Sequence, residues 1–519
     1  MSIYIPADLI IENVTVRTMD PLFPIARGIA MAKGKILGLL HSSQENWPLA
    51  PHGKHLDGEG MFILPGLIDA HCHLRAEISK NLSVSCGKED VSSIPEVIEA
   101  IRRHADLTPH KEWVRATGYN PFYLKENRYP TIAELDTATA NHPVRLRHVT
   151  RHASVLNSFA LRLAGIDRYS TDPPGVMVER DSLTNDPTGV IYGGDHWLSQ
   201  SIIPSHNSNE WQSGASQLQA FLLKCGITAL IDATPTNTKA DVQFWMSQIK
   251  NGWPIALQFM CEEKNHDELY RYINTKVPEY MHKQLEIGAI KVVMEANPDL
   301  YPELDELTRI AAIAARKDSP IAIHVVDPEM IWTAMEAIKQ AKILFPKSKS
   351  IYRFEHLSLC PEAFLDDLKE LNIVTVTNPS FIREHGDRYL FDVDLSEHTW
   401  LYRMRSLVDK EISLAAGSDA PVASFNPWAG ISSAVSRKTI KGETIGLNER
   451  LSRFQALQMY TTGAAESAGW KHIRGMLRPG FQADFIVLPE DPLNCSIKQL
   501  ENIKVYQTWI EGKLVYQTN

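Results

Sequence analysis

Long apolar runs are missing from this 519-residue chain. No stretch of about eighteen uninterrupted apolar residues occurs, so no membrane-spanning helix is expected. A surplus of positive charge is missing too: 53 Lys and Arg stand against 62 Asp and Glu, a net charge of -9. That balance argues against nucleic acid or an anionic membrane surface as the main partner. Cysteine is scarce. Its six copies (Cys72, Cys86, Cys225, Cys261, Cys360, Cys495) are scattered without paired spacing, which argues against a disulfide framework and suits a reducing compartment. The opening Met1-Ser2-Ile3-Tyr4-Ile5-Pro6-Ala7-Asp8 lacks a basic region followed by an apolar one, so no secretory signal is visible. The C-terminus carries no recognised address. Cytoplasm is the expected location.

What is present is ordinary for a soluble enzyme, with 44% hydrophobic and 22% charged residues. The length exceeds one simple core and predicts a large domain plus a smaller one. Both ends read as strands. Near the N-terminus, residues 9–16 are apolar and β-branched, and 28–31 pass through a Lys33-Gly34-Lys35 turn into 36–40. Near the C-terminus, 484–488 and 505–510 are strands, and Glu511-Gly512-Lys513 makes a hairpin turn into 514–516. Either end alone has little core, so a single small β-sandwich built from both termini is expected, contributed by residues 1–64 and 470–519.

The middle, residues 65–469, alternates strands with helical stretches, the pattern of an α/β protein with parallel βα units. After the strand that ends at His71, candidate strands fall at 226–232, 255–260, 288–294, 320–325, 350–356, 372–377 and 412–417. Helical periodicity between them is clear over 304–315 and 329–344. Eight such units close most naturally into a (β/α)8 TIM barrel. Between the first two strands lie about 150 residues, roughly 75 to 220, far beyond an ordinary connection. They read as an insertion with its own structure, at the face where a barrel places its active site.

The chemistry starts at Leu64-Pro65-Gly66-Leu67-Ile68-Asp69-Ala70-His71-Cys72-His73-Leu74. Side chains alternate faces along a strand, so His71 and His73 project to one side as a ready pair of ligands for a borderline-soft divalent metal. His324, His356 and Asp419 lie at or just past the ends of the fifth, sixth and eighth strands. Taken singly, each has an ordinary explanation, as a satisfied strand-end polar group or a turn residue. Together they form a ligand pattern. Lys291 lies inside the apolar fourth strand, where an ammonium pays a large desolvation cost. Glu295, about 13 Å along an extended strand, is too far to pair with it. Burial lowers a lysine's pKa, and a neutral amine can capture carbon dioxide as a carbamate, an anionic ligand able to bridge two metals.

This set resembles the amidohydrolase superfamily, in particular its YtcJ-like branch, which includes N-substituted formamide deformylases. The resemblance rests on the stretch 65–73, on His152-Ala153-Ser154-Val155-Leu156-Asn157-Ser158, and on Asp186-Pro187-Thr188-Gly189-Val190. Arg353-Phe354-Glu355-His356, Gly417-Ser418-Asp419-Ala420-Pro421-Val422 and 475–484 extend it over nearly the whole chain. It departs at Met294-Glu295-Ala296-Asn297, where many relatives carry Asp-Gly, so substrate contacts are not transferred from that loop.

The resemblance implies one or two divalent metals, zinc by ligand type, although iron, manganese or nickel also suit such a site. His71, His73 and Asp419 would hold the more buried metal and His324 and His356 the second, with carboxylated Lys291 bridging. A one-metal version, with His356 polarising the carbonyl, also occurs in the superfamily. Bound metal lowers the pKa of its water, and Asp419 takes the water's proton and passes it to the leaving nitrogen. The implied activity is hydrolysis of a C–N amide-type bond, N-acyl or N-formyl, in a small molecule. A lactonase, cyclic imidase, deaminase or decarboxylase on the same metals, or an inactive binding protein, is the alternative. A dimer or larger assembly is the family expectation.

His152 is a further candidate, over the barrel mouth and able to meet substrate or oxyanion, against a reading in which His152 and Asn157 brace a helix. Trp113, Phe122, Tyr123 and Trp197 line an apolar pocket or pack a core. Glu262-Glu263 reads as exposed loop acids.

Overall fold

The computed structural model describes residues 5–42, 47–296 and 300–518, and the chain divides into two units, Met1–His73 with Gln219–Asn519, and Leu74–Leu218. In the first, eight parallel strands pair in chain order. They are β1 (Leu67–Cys72), β2 (Ile227–Asp232), β3 (Ala256–Cys261), β4 (Leu285–Val293), β5 (Ile321–Val325), β6 (Tyr352–His356), β7 (Ile373–Thr377) and β8 (Leu414–Ala416). The ring is nearly closed. At its C-terminal rim Asp419 N donates to His71 O at 2.7 Å and His73 N to Ala420 O at 2.8 Å, joining the two end strands.

Burial on both faces explains why these strands are so uniformly apolar. Ile290 and Val292 of β4, Ile321 and Ile323 of β5 and Phe354 of β6 pack with Leu307 and Ala311 of the helix Leu304–Arg316 and with Ile331 and Ala334 of Pro328–Leu344. Alternate residues form a second cluster drawn from both sides of the ring: Ala70, Ala229, Ala256, Ala289, Ala322 and Ala415, with Ala464 of the helix Thr462–Ser467. Small side chains fit because the centre of the ring is crowded. Lys291, between the outward Ile290 and Val292, therefore faces inward, as does His324 between Ile323 and Val325.

Strands from both chain ends form one eight-stranded sheet. Its link is Phe62–Pro65, antiparallel to Phe485–Leu488 and parallel to Ala7–Arg17. The expected hairpin turns lie at Lys33-Gly34 (φ 51° and 76°) and Glu511-Gly512 (φ 49° and 67°), where both central residues are left-handed as a twisted two-residue turn requires. Phe485 and Trp509 stack at 5.4 Å in its core.

The unit Leu74–Leu218 holds a six-stranded sheet in the order Met177–Arg180, Pro187–Tyr192, Ala153–Leu156, Val144–His148, Val114–Tyr119, Val84–Ser85. Its own core packs Val97 and Ile101 of the helix Ile94–Ala105 against Val114, Leu146, Val155 and Val190. Among the described residues, no helix is long and apolar enough to cross a membrane.

Candidate metal centre

At the end of β1, His71 and His73 turn their Nε2 atoms toward one carboxylate: Asp419 Oδ1 lies 3.4 Å from His71 Nε2 and 3.1 Å from His73 Nε2. Cys72 between them is buried, with its Sγ 3.4 Å from Ile231 O. The His71 and His356 rings are 4.8 Å apart and the His324 and His356 rings 4.5 Å. One ligand atom each from His71, His356 and Asp419 falls within 4.8 Å of the others.

Each of three imidazoles is anchored through Nδ1. His71 is hydrogen-bonded to Glu355, His73 to Thr234 Oγ1 at 3.0 Å and His356 to Asn378 Oδ1 at 2.7 Å. Asn378 is itself oriented, because its amide nitrogen donates to Gly417 O at 3.0 Å. Anchoring Nδ1 leaves Nε2 as the atom offered to the centre. Glu355 is braced in turn by Arg353, whose Nε and Nη2 reach its two oxygens at 2.8 and 3.2 Å.

His356 reaches the mouth by a backbone device. Strict alternation after the inward Glu355 would turn it outward, but its φ of 70° lies in the left-handed region, and Leu357 follows at 49°. Asp419 is left-handed as well, at φ 55°. Non-glycine residues held in such conformations gather at functional sites.

The electrostatics suit a cation. Burial drives the His356 imidazole down to about 4, with His71 and Lys291 adding to the effect, and drives His324 well below its usual range. Burial also lowers His73. For His71, burial and the Lys291 charge push downward, but Glu355 and Asp419 outweigh them and the net shift is upward. Burial alone would raise the Asp419 carboxyl, yet its close contacts with His71 and His73 hold it well below the carboxylate range. Lys291 is lowered to about 8, chiefly by burial. Its Nζ is buried and has no hydrogen-bond partner among the described residues. Imidazoles shifted toward the neutral form at His73, His324 and His356, with His71 beside them, an ionised carboxylate and this buried amine form a donor set for divalent metal.

A sequence profile described as amidohydrolase family matches residues 54–516. The chain belongs to the amidohydrolase family. It is 26% identical to the N-substituted formamide deformylase of Arthrobacter pascens, over 98% of each chain. It is 23% identical to the putative amidohydrolase YtcJ of Bacillus subtilis, over 90% of this chain and 91% of that one. An uncharacterised metal-dependent hydrolase from Pyrococcus horikoshii OT3 superposes with a TM-score of 0.73 at 21% identity, covering 94% of this chain and 99% of its own.

The other residues singled out in this amidohydrolase separate into two kinds. His152 is exposed at the start of the strand Ala153–Leu156, and its carbonyl accepts from Gly193 N at 2.9 Å. Asn157 does brace a helix: its Oδ1 accepts from Ala160 N at 2.9 Å, capping Ser158–Ala164, and its amide donates to His142 O. Trp113 is buried in the core of the inserted unit and Trp197 packs against it, while the Phe122 and Tyr123 rings meet each other at 5.1 Å. Glu262 pairs with Lys264 at 2.5 Å and Glu263 with Arg309 at 3.5 Å. Glu295 and Ala296 pair with Tyr301 and Leu300, and Asn297 lies outside the described residues.

Arg353 and Glu355 stand in the sixth-strand motif without a role of their own there, and Thr234 and Asn378 belong to none of the motifs. One signal was available: Arg353 and Glu355 are two charged residues two apart in a strand buried along its whole length. On one face of such a strand, opposite charges have only each other and the centre to satisfy them.

Proposed function

We propose that this amidohydrolase hydrolyses a C–N amide-type bond, N-formyl or N-acyl, in a small organic molecule. The observation that carries the reading is the convergence of His71, His356 and Asp419, with a buried Lys291 Nζ that has no hydrogen-bond partner among the described residues. The donors fit a divalent metal, and imidazole with carboxylate favours zinc. His71, His73 and Asp419 would hold one ion and His324 and His356 a second. Lys291 would bridge them after its neutral amine adds to carbon dioxide and loses a proton to solvent. Bound metal supplies Lewis acidity, lowering the pKa of a coordinated water and polarising the substrate carbonyl.

The chain's own residues supply the rest. Asp419, ionised and aimed by two imidazoles, takes a proton from the attacking water and delivers it to the leaving nitrogen. Glu355, Thr234 and Asn378 keep the rings in place, so little reorganisation accompanies the reaction. His152 is proposed as a substrate-contacting residue on the strength of its motif alone; His152→Asn should then raise KM without changing metal content. The free cysteines agree with a cytoplasmic setting.

The N-formyl and N-acyl preference draws support from the near full-length similarity to a formamide deformylase. The deciding experiment is metal analysis followed by a turnover screen of N-formyl, N-acyl, lactone and cyclic-imide compounds. One or two zinc-like ions per chain and turnover of an N-formyl or N-acyl compound are expected. Turnover of lactones alone would overturn the bond assignment, and full activity without metal would overturn the mechanism.

A further inference from the structure

Three histidines of the centre are held through Nδ1 by three acceptors of different character: a carboxylate for His71, an amide oxygen for His356 and a hydroxyl for His73. The carboxylate stands apart. Glu355 is fully buried, and Arg353 reaches both of its oxygens. The guanidinium has no freedom of its own, because Nη2 also donates to Ala70 O at 2.9 Å and Nη1 to Ser467 O at 3.2 Å. Arg353 can only donate, so both Glu355 oxygens serve as acceptors. The third group facing that carboxylate, His71 Nδ1, therefore carries a hydrogen, whereas Nε2 meets Asp419 Oδ1 only at 3.4 Å.

We propose that Glu355, braced by Arg353, is a positioning residue that commits His71 to the tautomer with a bare Nε2, and so sets the affinity of the centre for metal. The inference rests on the metal reading given above. Its physical basis is that a carboxylate behind a ligating imidazole both fixes the tautomer and raises the basicity of the other nitrogen. Thr234 cannot do the same for His73, because a hydroxyl can accept or donate and leaves either tautomer open. The two histidines of the His-x-His pair are thus unequal, with His71 the committed ligand.

Glu355→Gln is the sharpest substitution, since it keeps the shape. A carboxamide has one acceptor oxygen and one donor nitrogen, whereas Arg353 and His71 present donors to both positions. Either Arg353 loses an acceptor, or the amide nitrogen faces His71 Nδ1 and selects the tautomer whose Nε2 bears hydrogen and cannot bind metal.

Zinc affinity, measured by competition with a chromophoric chelator, should fall about 10- to 100-fold in Glu355→Gln and by less in Thr234→Val. The visible spectrum of the cobalt-loaded protein should change with it. Affinity within twofold of wild type in Glu355→Gln, or an equal loss in Thr234→Val, would overturn the inference. Should Glu355→Gln fail to fold, the wild type decides. Histidine ¹⁵N resonances of the metal-free protein in mildly alkaline buffer, with His71 identified by its absence from His71→Asn, should show hydrogen on Nδ1. A bare Nδ1 overturns the proposal. This measurement needs no metal, so it tests the tautomer separately; a wild type that binds none would overturn the metal-affinity part of the inference together with the hydrolytic reading.

Discussion

Asp69 and Ser418 join the first and last strands of the barrel: Asp69 Oδ1 accepts from Ser418 N at 3.0 Å. The same oxygen accepts from His71 N at 3.1 Å, so one buried carboxylate holds the backbone on either side of the centre. Where the ring lacks a ladder between β1 and β8, this contact supplies part of the closure. Asp69→Ala would strand two buried N–H groups at about 1–3 kcal/mol each. Urea denaturation should show a clear loss for Asp69→Ala and a smaller one for Asp69→Asn, which keeps an acceptor oxygen. Unchanged midpoints in both would mean that the rim is held by other contacts.

Asp419→Asn retains an oxygen for coordination but removes the proton acceptor. Turnover should drop by about 10²- to 10⁴-fold while most of the metal stays bound. Normal turnover in this variant would show that Asp419 serves as a ligand only.

Lys291 carries a buried amine with no partner among the described residues, an unfavourable arrangement for the metal-free protein. Lys291→Met should leave the metal-free protein at least as stable in denaturant while reducing the metal bound per chain. In parallel, wild type incubated with ¹³C-bicarbonate should show a carbamate carbon resonance that Lys291→Met lacks. A variant that loads metal like wild type would remove Lys291 from the centre.

The inserted unit has an acid-sensitive point. Asp195 accepts from Arg145 Nη2 at 2.5 Å and Arg151 Nη2 at 2.7 Å, and Arg147 Nη1 is 3.3 Å away. Burial alone would raise its carboxyl, but the three guanidinium charges hold it far below the ordinary 3.8. A carboxyl depressed in the folded state contributes stability that is fully present above its unfolded value and is lost as pH falls below it. Thermal melting should therefore weaken as pH drops below about 4. Asp195→Asn, already less stable at neutral pH because Arg145 and Arg147 lose their counter-ion, should show less of that acid dependence. Parallel acid profiles for the two proteins would contradict the role assigned to Asp195.

Much of the architecture was legible in the order of residues. Short apolar strands alternating with helices at three- and four-residue spacing can bury both faces of a parallel sheet in few ways, and a closed ring is the natural one. The two-residue period also put His71 and His73 on one face before any fold was known. Other features were beyond that reach. Alternation alone would send His356 outward, and only its left-handed backbone brings it to the mouth. Asn157 caps a helix, as one of the two readings of its motif had it, and only the structure separates that role from the one given to His152.

By itself, then, the sequence determined the strand and helix pattern, the two-ended sheet and the residue types able to bind metal, because periodicity and composition are local properties of a chain. The tertiary structure alone decided which nitrogen of His71, His73 and His356 faces the centre and that Lys291 Nζ has no hydrogen-bond partner among the described residues. Those outcomes depend on partners such as Glu355, 284 residues from His71 along the chain, and no local pattern encodes a contact of that separation.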